Sequence, residues 1–210
     1  MTPFVRQLVL PWVLLALWLP LPAAAEAVVP PLEVVRGTAA QVIHILETRR
    51  EELRQHPERL FALINEVVVP HFDFRRMARW VLGKYWRRAS EEERERFVTE
   101  FRRLLVRTYG TALLEYTGEP IRYLPVKAPP GARDVTVRSE VMQNDGQPVV
   151  INYRMHLGDD GWKVYDVTVD GISLVMNYRS GFAAEIRANG LPVLIDKLAR
   201  RNDREEGLGE

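Results

Sequence analysis

The residues of this chain that could do chemistry are few, and their spacing argues against most of it. Histidine occurs only at positions 44, 56, 71 and 156, and cysteine not at all. The nearest approach to a metal motif is His71-Phe72-Asp73, but residues two apart on a helix do not face each other. With no cysteine and no second histidine nearby, no metal site is expected, and His71 after Pro70 reads as a polar residue at a helix start. Gly171-Ile172-Ser173 begins like a nucleophile elbow, yet the second glycine is missing and no histidine follows in the chain, so Ser173 reads as a strand-end hydroxyl. Acid–base chemistry asks for less, since one carboxylate in a cavity can move a proton. Asp166 and Asp170 stand where a sheet would end, which keeps one alternative open: an enzyme using either as general base on an apolar substrate. Against it, Asp170-Gly171 is a turn pair, and an aspartate within a strand commonly bonds nearby backbone.

Charge narrows the partners. Lys and Arg number 29 against 28 Asp and Glu, and Arg6 falls in a segment expected to be removed, which leaves the rest balanced. Nucleic acid is therefore not expected as a partner, because phosphate binding needs a basic excess. Most Arg-Arg pairs sit among acids on helix faces, as solvated surfaces do. "GKYWRRAS", 83–90, is denser and mixes aromatic with basic residues, so Lys84, Arg87 and Arg88 are candidates for contact with a head group or a partner.

The elements that would position these residues begin after an export signal. "MTPFVRQ", the apolar run "LVLPWVLLALWLPL" and "AAA" before Glu26 form a cleavable signal peptide over residues 1–25, its apolar stretch too short to span a membrane. An exported chain without cysteine must be held together by its core. Residues 26–201 read as one domain, and the charged tail 202–210 as frayed.

Apolar residues at three- and four-residue spacings predict one helix or two short ones over 32–55, then helices over 57–70, 72–83, and from Ser90 to about Gly118. Ser90 with Glu93 is a capping box, and Phe74, Met77, Trp80 and Val81 are expected on one buried side. After Pro120 the period changes to two, and "IRYLPV", "RDVTVRSEVM", "PVVINYRMHL" and "WKVYDVTV" read as strands joined by short Gly-bearing turns. Two short helices, about Tyr178 to Ala188 and Pro192 to Arg201, close the chain. Helices first and antiparallel strands later make an α+β domain, with helices packed on a curved, mainly antiparallel sheet.

What remains is a surplus of large apolar side chains, which fill a core or line a hollow. "VLGKYWRRAS", "ERFVTEFRRLLVRTYGTALLEY", "WKVYDVTVDGISLVMNYRSGFAAEI" and "GLPVLIDKL" together resemble the MlaC or toluene-tolerance family of periplasmic phospholipid-binding proteins. The resemblance extends from about Leu32 to Arg201. It implies a nuclear-transport-factor-like sheet, an apolar pocket for acyl chains, no cofactor and no catalysis. It further implies a periplasmic monomer that shuttles phospholipid between an outer-membrane lipoprotein complex and an inner-membrane ABC transport complex, maintaining outer-membrane lipid asymmetry.

On that reading the pocket wall is expected from inward-facing positions: Met77 and Val81, then Phe97, Phe101, Leu105 and Tyr109 on the long helix, and Val149, Ile151 and Tyr153 on the sheet. Ile172, Leu174 and Val175 follow at the sheet's end, completed by Phe182, Leu194 and Leu198. A one-residue error in strand register would reverse the sheet positions. A third possibility is an interaction protein whose apolar stripes merely pack.

Overall fold

The computed structural model describes residues 28–143 and 146–207. The expected signal peptide and the last three residues lie outside them, as do residues 144 and 145. Five helices come from apolar periodicity much as expected: α1 Pro31–Gln55, α2 Pro57–Val67, α3 Phe74–Leu82, α4 Glu91–Gly110 and, later, α6 Leu191–Gly207. α1 is one continuous helix, and Pro57 opens α2 where a missing N–H costs nothing. Ser90 and Glu93 form the reciprocal capping box at the head of α4. α4 ends at Gly110, short of Gly118, and passes into a 3-10 turn over Thr111–Glu115. Gly110 lets α2 cross closely, because a Cβ there would stand 2.6 Å from Ile64 Cδ1 and push that side chain aside.

The sheet has the order β1-β2-β3-β4-β5, every neighbour antiparallel. Its strands are β1 Ile121–Tyr123, β2 Asp134–Val141, β3 Val149–Gly158, β4 Gly161–Val169 and β5 Ile172–Ser173. Register is set by pairs such as Val137↔Tyr153 and Ser139↔Ile151, which put one apolar row on one face. A bulge between Arg154 and Met155 leaves Tyr165 without a partner on β3 and turns it toward the helices.

Three cores result. α1 packs across the apolar face of the sheet through Val35, Val137, Met155, Val164 and Val167. α1, α2 and α4 meet around Leu46, Leu53, Leu60 and Ile64. α3, α4, α6 and the helix that follows β5 enclose Phe97, Phe101, Met77 and Ile195, and this bundle abuts the sheet where Phe72 pairs with Val164.

Three expectations are corrected. Trp80 is 38% exposed and not on the buried side of α3, because its ring lies along Tyr165 at the surface, 6.1 Å between centroids. α5 spans Leu174–Asn189, starting four residues before Tyr178, because Ser173 caps it by accepting from Met176 N. α6 continues past Arg201 to Gly207, so the segment read as frayed is helical to that point. Asn202, 0% exposed, anchors it by donating to Glu100 O and Oε2 at 3.1 and 2.7 Å. Among the described residues no helix is long and apolar enough to cross a membrane.

Candidate functional site

A cavity of about 270 Å³ lies between α1 and the apolar face of the sheet. α1 faces it with Val34, Val35, Thr38, Ala39, Val42, Ile43 and Leu46, the three-and-four spacing that keeps one helix side turned to a neighbour. Across from it, Tyr123, Ser139, Val141, Ile151, Tyr153 and Val164 come from four strands at alternating positions. Val68, His71 and Phe72 close one end, and Ala112, Leu113, Tyr116 and Ile121 the other. The hollow exists because α1 turns small residues, Thr38 and Ala39, to the sheet in mid-stripe, where a leucine would fill it.

The polar groups lining the cavity are held neutral. Burial pushes the Tyr153 phenol above its usual range, partly offset by its hydrogen bond with Ser139. Burial likewise raises Tyr123 and Tyr116. His71 is lowered, first by burial and then by the Lys163 ammonium. No lining residue is a carboxylate or a cationic chain. Such a hollow suits hydrocarbon, with a few hydroxyls to meet ester or glycerol oxygens.

The two aspartates face elsewhere. Asp166 is buried and accepts from Ser173 Oγ at 2.8 and 2.9 Å and from Val175 N at 3.3 Å, so it anchors the head of α5. Asp170 and Gly171 both have positive φ, 46° and 84°, in the tight turn between β4 and β5, and Asp170 Oδ1 accepts from Val150 N at 2.9 Å. Ser173 is the cap described above. His71 ends a 3-10 turn instead of starting a helix. Among the described residues no group of His, Cys, Asp and Glu could hold a metal.

Of the residues expected on a pocket wall, Ile151 and Tyr153 line this cavity. Val149 continues their row, opposite Val141, but lies outside the lining. Met77, Val81, Phe97, Phe101, Leu105, Val175, Leu194 and Leu198 are packed in the helical bundle, with Tyr109 and Phe182 against them. There Phe97 and Phe101 stack at 5.5 Å, Phe182 meets both edge-on, and the Tyr109 hydroxyl is pushed up to about 12 by burial beside Tyr178. Leu174 packs beside the sheet core, and Ile172 is 64% exposed. Lys84, Arg87 and Arg88 are exposed on the segment between α3 and α4, away from the lining. The α1 residues were legible as a helix stripe but not as a wall; the signal that marks them is the Thr38-Ala39 step.

Comparison with known proteins fits this geometry. Residues 36–200 match the family described as MlaC protein. The Toluene tolerance protein ttg2D of Pseudomonas putida is 32% identical over 178 residues, which covers 84% of this chain and 82% of that protein. The Intermembrane phospholipid transport system binding protein MlaC of Haemophilus influenzae is 24% identical over 193 residues, 90% of this chain and 89% of that one. Among solved structures, the phospholipid-binding protein from Ralstonia solanacearum, in complex with a phospholipid, superposes with a TM-score of 0.76 at 30% identity, covering 84% of this chain and 98% of that one. The open antiparallel sheet with helices packed on it is thus shared with a relative seen holding lipid, and the chain belongs to the MlaC family.

Proposed function

We propose that this protein is a phospholipid carrier that encloses acyl chains in the cavity between α1 and the sheet and performs no catalysis. The observation that carries the reading is the cavity itself: an apolar hollow whose titratable groups are all pushed to their neutral forms. The phospholipid in the Ralstonia relative supports the choice of ligand, and the name of the Haemophilus relative supports transport between membranes.

The physics requires a container. At about 0.8 kcal/mol per methylene, two acyl chains of about 30 methylenes would cost on the order of 20 kcal/mol to expose to water. Free lipid therefore does not cross an aqueous gap, and a protein that covers the chains while leaving the head group wet removes most of that cost. In this reading the protein works in the periplasm. It receives and delivers lipid at an outer-membrane lipoprotein complex and an inner-membrane ABC complex, and so sustains the asymmetry of the outer membrane.

Lipid extraction and mass spectrometry of protein purified from its native compartment test the proposal. About one phospholipid per chain is expected; an empty protein would overturn it. Ile151→Glu should reduce the lipid content at least tenfold, whereas Ile172→Glu, at an exposed position, should leave it unchanged.

A further inference from the structure

A second recess, of about 750 Å³, is lined by the outer side of α3 and by α5. It is the chemical opposite of the apolar cavity. Its walls are Trp80 and Trp86, and its cations are Arg75, Arg76, Arg79 and Arg179. The β3 row that faces the apolar cavity is Ile151 and Tyr153, so by alternation Arg154 faces the other way. Its guanidinium lies 5.0 Å over Trp80 and 4.9 Å over Tyr165, behind the recess.

What separates this cluster from the other arginines is that a concave wall carrying two indole rings gathers its cations, and acids answer only some of them among the described residues. Arg75 is paired with Glu91 at 2.5 Å and with Glu95, and Arg76 with Asp134 at 2.9 Å. Asp73 is the one carboxylate in the lining, and it is occupied by Arg76 N at 2.8 Å and His156 Nε2 at 2.7 Å. Arg79 is exposed and has no ion pair or hydrogen bond among the described residues. Among the described residues the Arg179 guanidinium donates only to Trp80 O, at 3.2 Å, and it is held against Gly83, where a Cβ would come within 3.0 Å of Nη2. Gly83 has φ +53°, a conformation that leaves the position to glycine and keeps this approach open. Among the described residues Arg154 has ring faces and no carboxylate as partners.

We propose that this recess is a docking site for an acidic segment of a partner protein. Arg79 and Arg179 would bind its carboxylates, and its adjoining side chains would pack on Trp80 and Trp86. Guanidinium groups take carboxylates in a two-pronged fork and are weakly hydrated, so they pair with acids at little cost in lost solvation. Arg and Trp are also the residues that dominate protein contacts by energy. The shape selects a protein over a membrane. Glu91, Glu95 and Asp134 stand exposed beside the recess, so a flat anionic surface would meet carboxylates first, while a narrow segment reaches the unanswered arginines. The site goes beyond the carrier reading and stands without it. In a carrier it would let the protein be held by one side while the opposite face of the sheet handles lipid.

Full-length protein is titrated by calorimetry with a synthetic octapeptide of alternating Asp and Glu flanked by leucines, and with its Asn and Gln analogue. Vesicles of phosphatidylglycerol form a third arm. The acidic peptide should bind at micromolar concentration, weaken as salt is raised, and bind at least tenfold more tightly than the amide analogue. Arg79→Glu, an exposed substitution, should weaken it at least tenfold, and Arg54→Glu on α1 should not. Equal binding of the two peptides, or indifference to Arg79→Glu, overturns the proposal. So does vesicle binding that Arg79→Glu abolishes when the peptide does not bind. Lipid content of Arg79→Glu is measured alongside and should equal that of the wild type, so failure of docking and failure of lipid carriage are read separately.

Discussion

His71 sits at one end of the cavity, where burial and the Lys163 ammonium hold it below its ordinary value of 6.5. The folded protein resists the proton that the unfolded chain accepts, so the neutral imidazole contributes its full stability above about pH 6.5. That contribution is lost as pH falls toward the lowered folded value. Urea unfolding followed across that range should show the wild type weakening on acidification, with a shallower slope for His71→Gln. An equal slope would mean that the histidine is solvated. Single residues of this kind were only half legible in the sequence. Asp170-Gly171 was readable as a turn because the pair encodes its own geometry, whereas nothing local announced that Asp166 would be spent on the first turn of a helix.

At the scale of elements, what the chain encodes locally was readable and what it encodes at long range was not. The capping box at Ser90, the prolines opening α1 and α2, and the period-two strands are written within a few residues of where they act. The end of α6 is not. Its charged composition reads as a tail, but Asn202 reaches an α4 residue 102 positions away, and that bond, not propensity, holds the last turns. Asn202→Ala should cost about 1 kcal/mol in chemical denaturation, since it removes the two hydrogen bonds that tie α6 to Glu100. The same limit explains the wall residues. Periodicity found the inward faces of α3 and α4 and of the strands, but which inward face meets a hollow depends on how elements cross. The bundle closed over Phe97 and Phe101, and the gap opened under α1.

For the whole molecule, the place of the cavity has a consequence for loading. Its lining comes from α1 on one side and the sheet on the other, so an empty hollow leaves α1 with fewer neighbours than a filled one. In the proposed role, bound lipid therefore steadies α1 against the sheet. Hydrogen exchange along α1 should be faster in lipid-stripped protein than in loaded protein, while the bundle around Phe97 exchanges alike in both. Stripping should also lower Tm, because a ligand that binds only the folded state stabilises it by mass action. Uniform exchange in the two forms would place the ligand elsewhere. Such a cycle exposes greasy surface at every turn, which invites self-association. The sheet answers this at its margins: its outermost strands, Ile121–Tyr123 and Ile172–Ser173, are three and two residues long. Neither strand has room to seat a second copy, which narrows the exposed edge to the stretches of β2 and β4 that they leave uncovered.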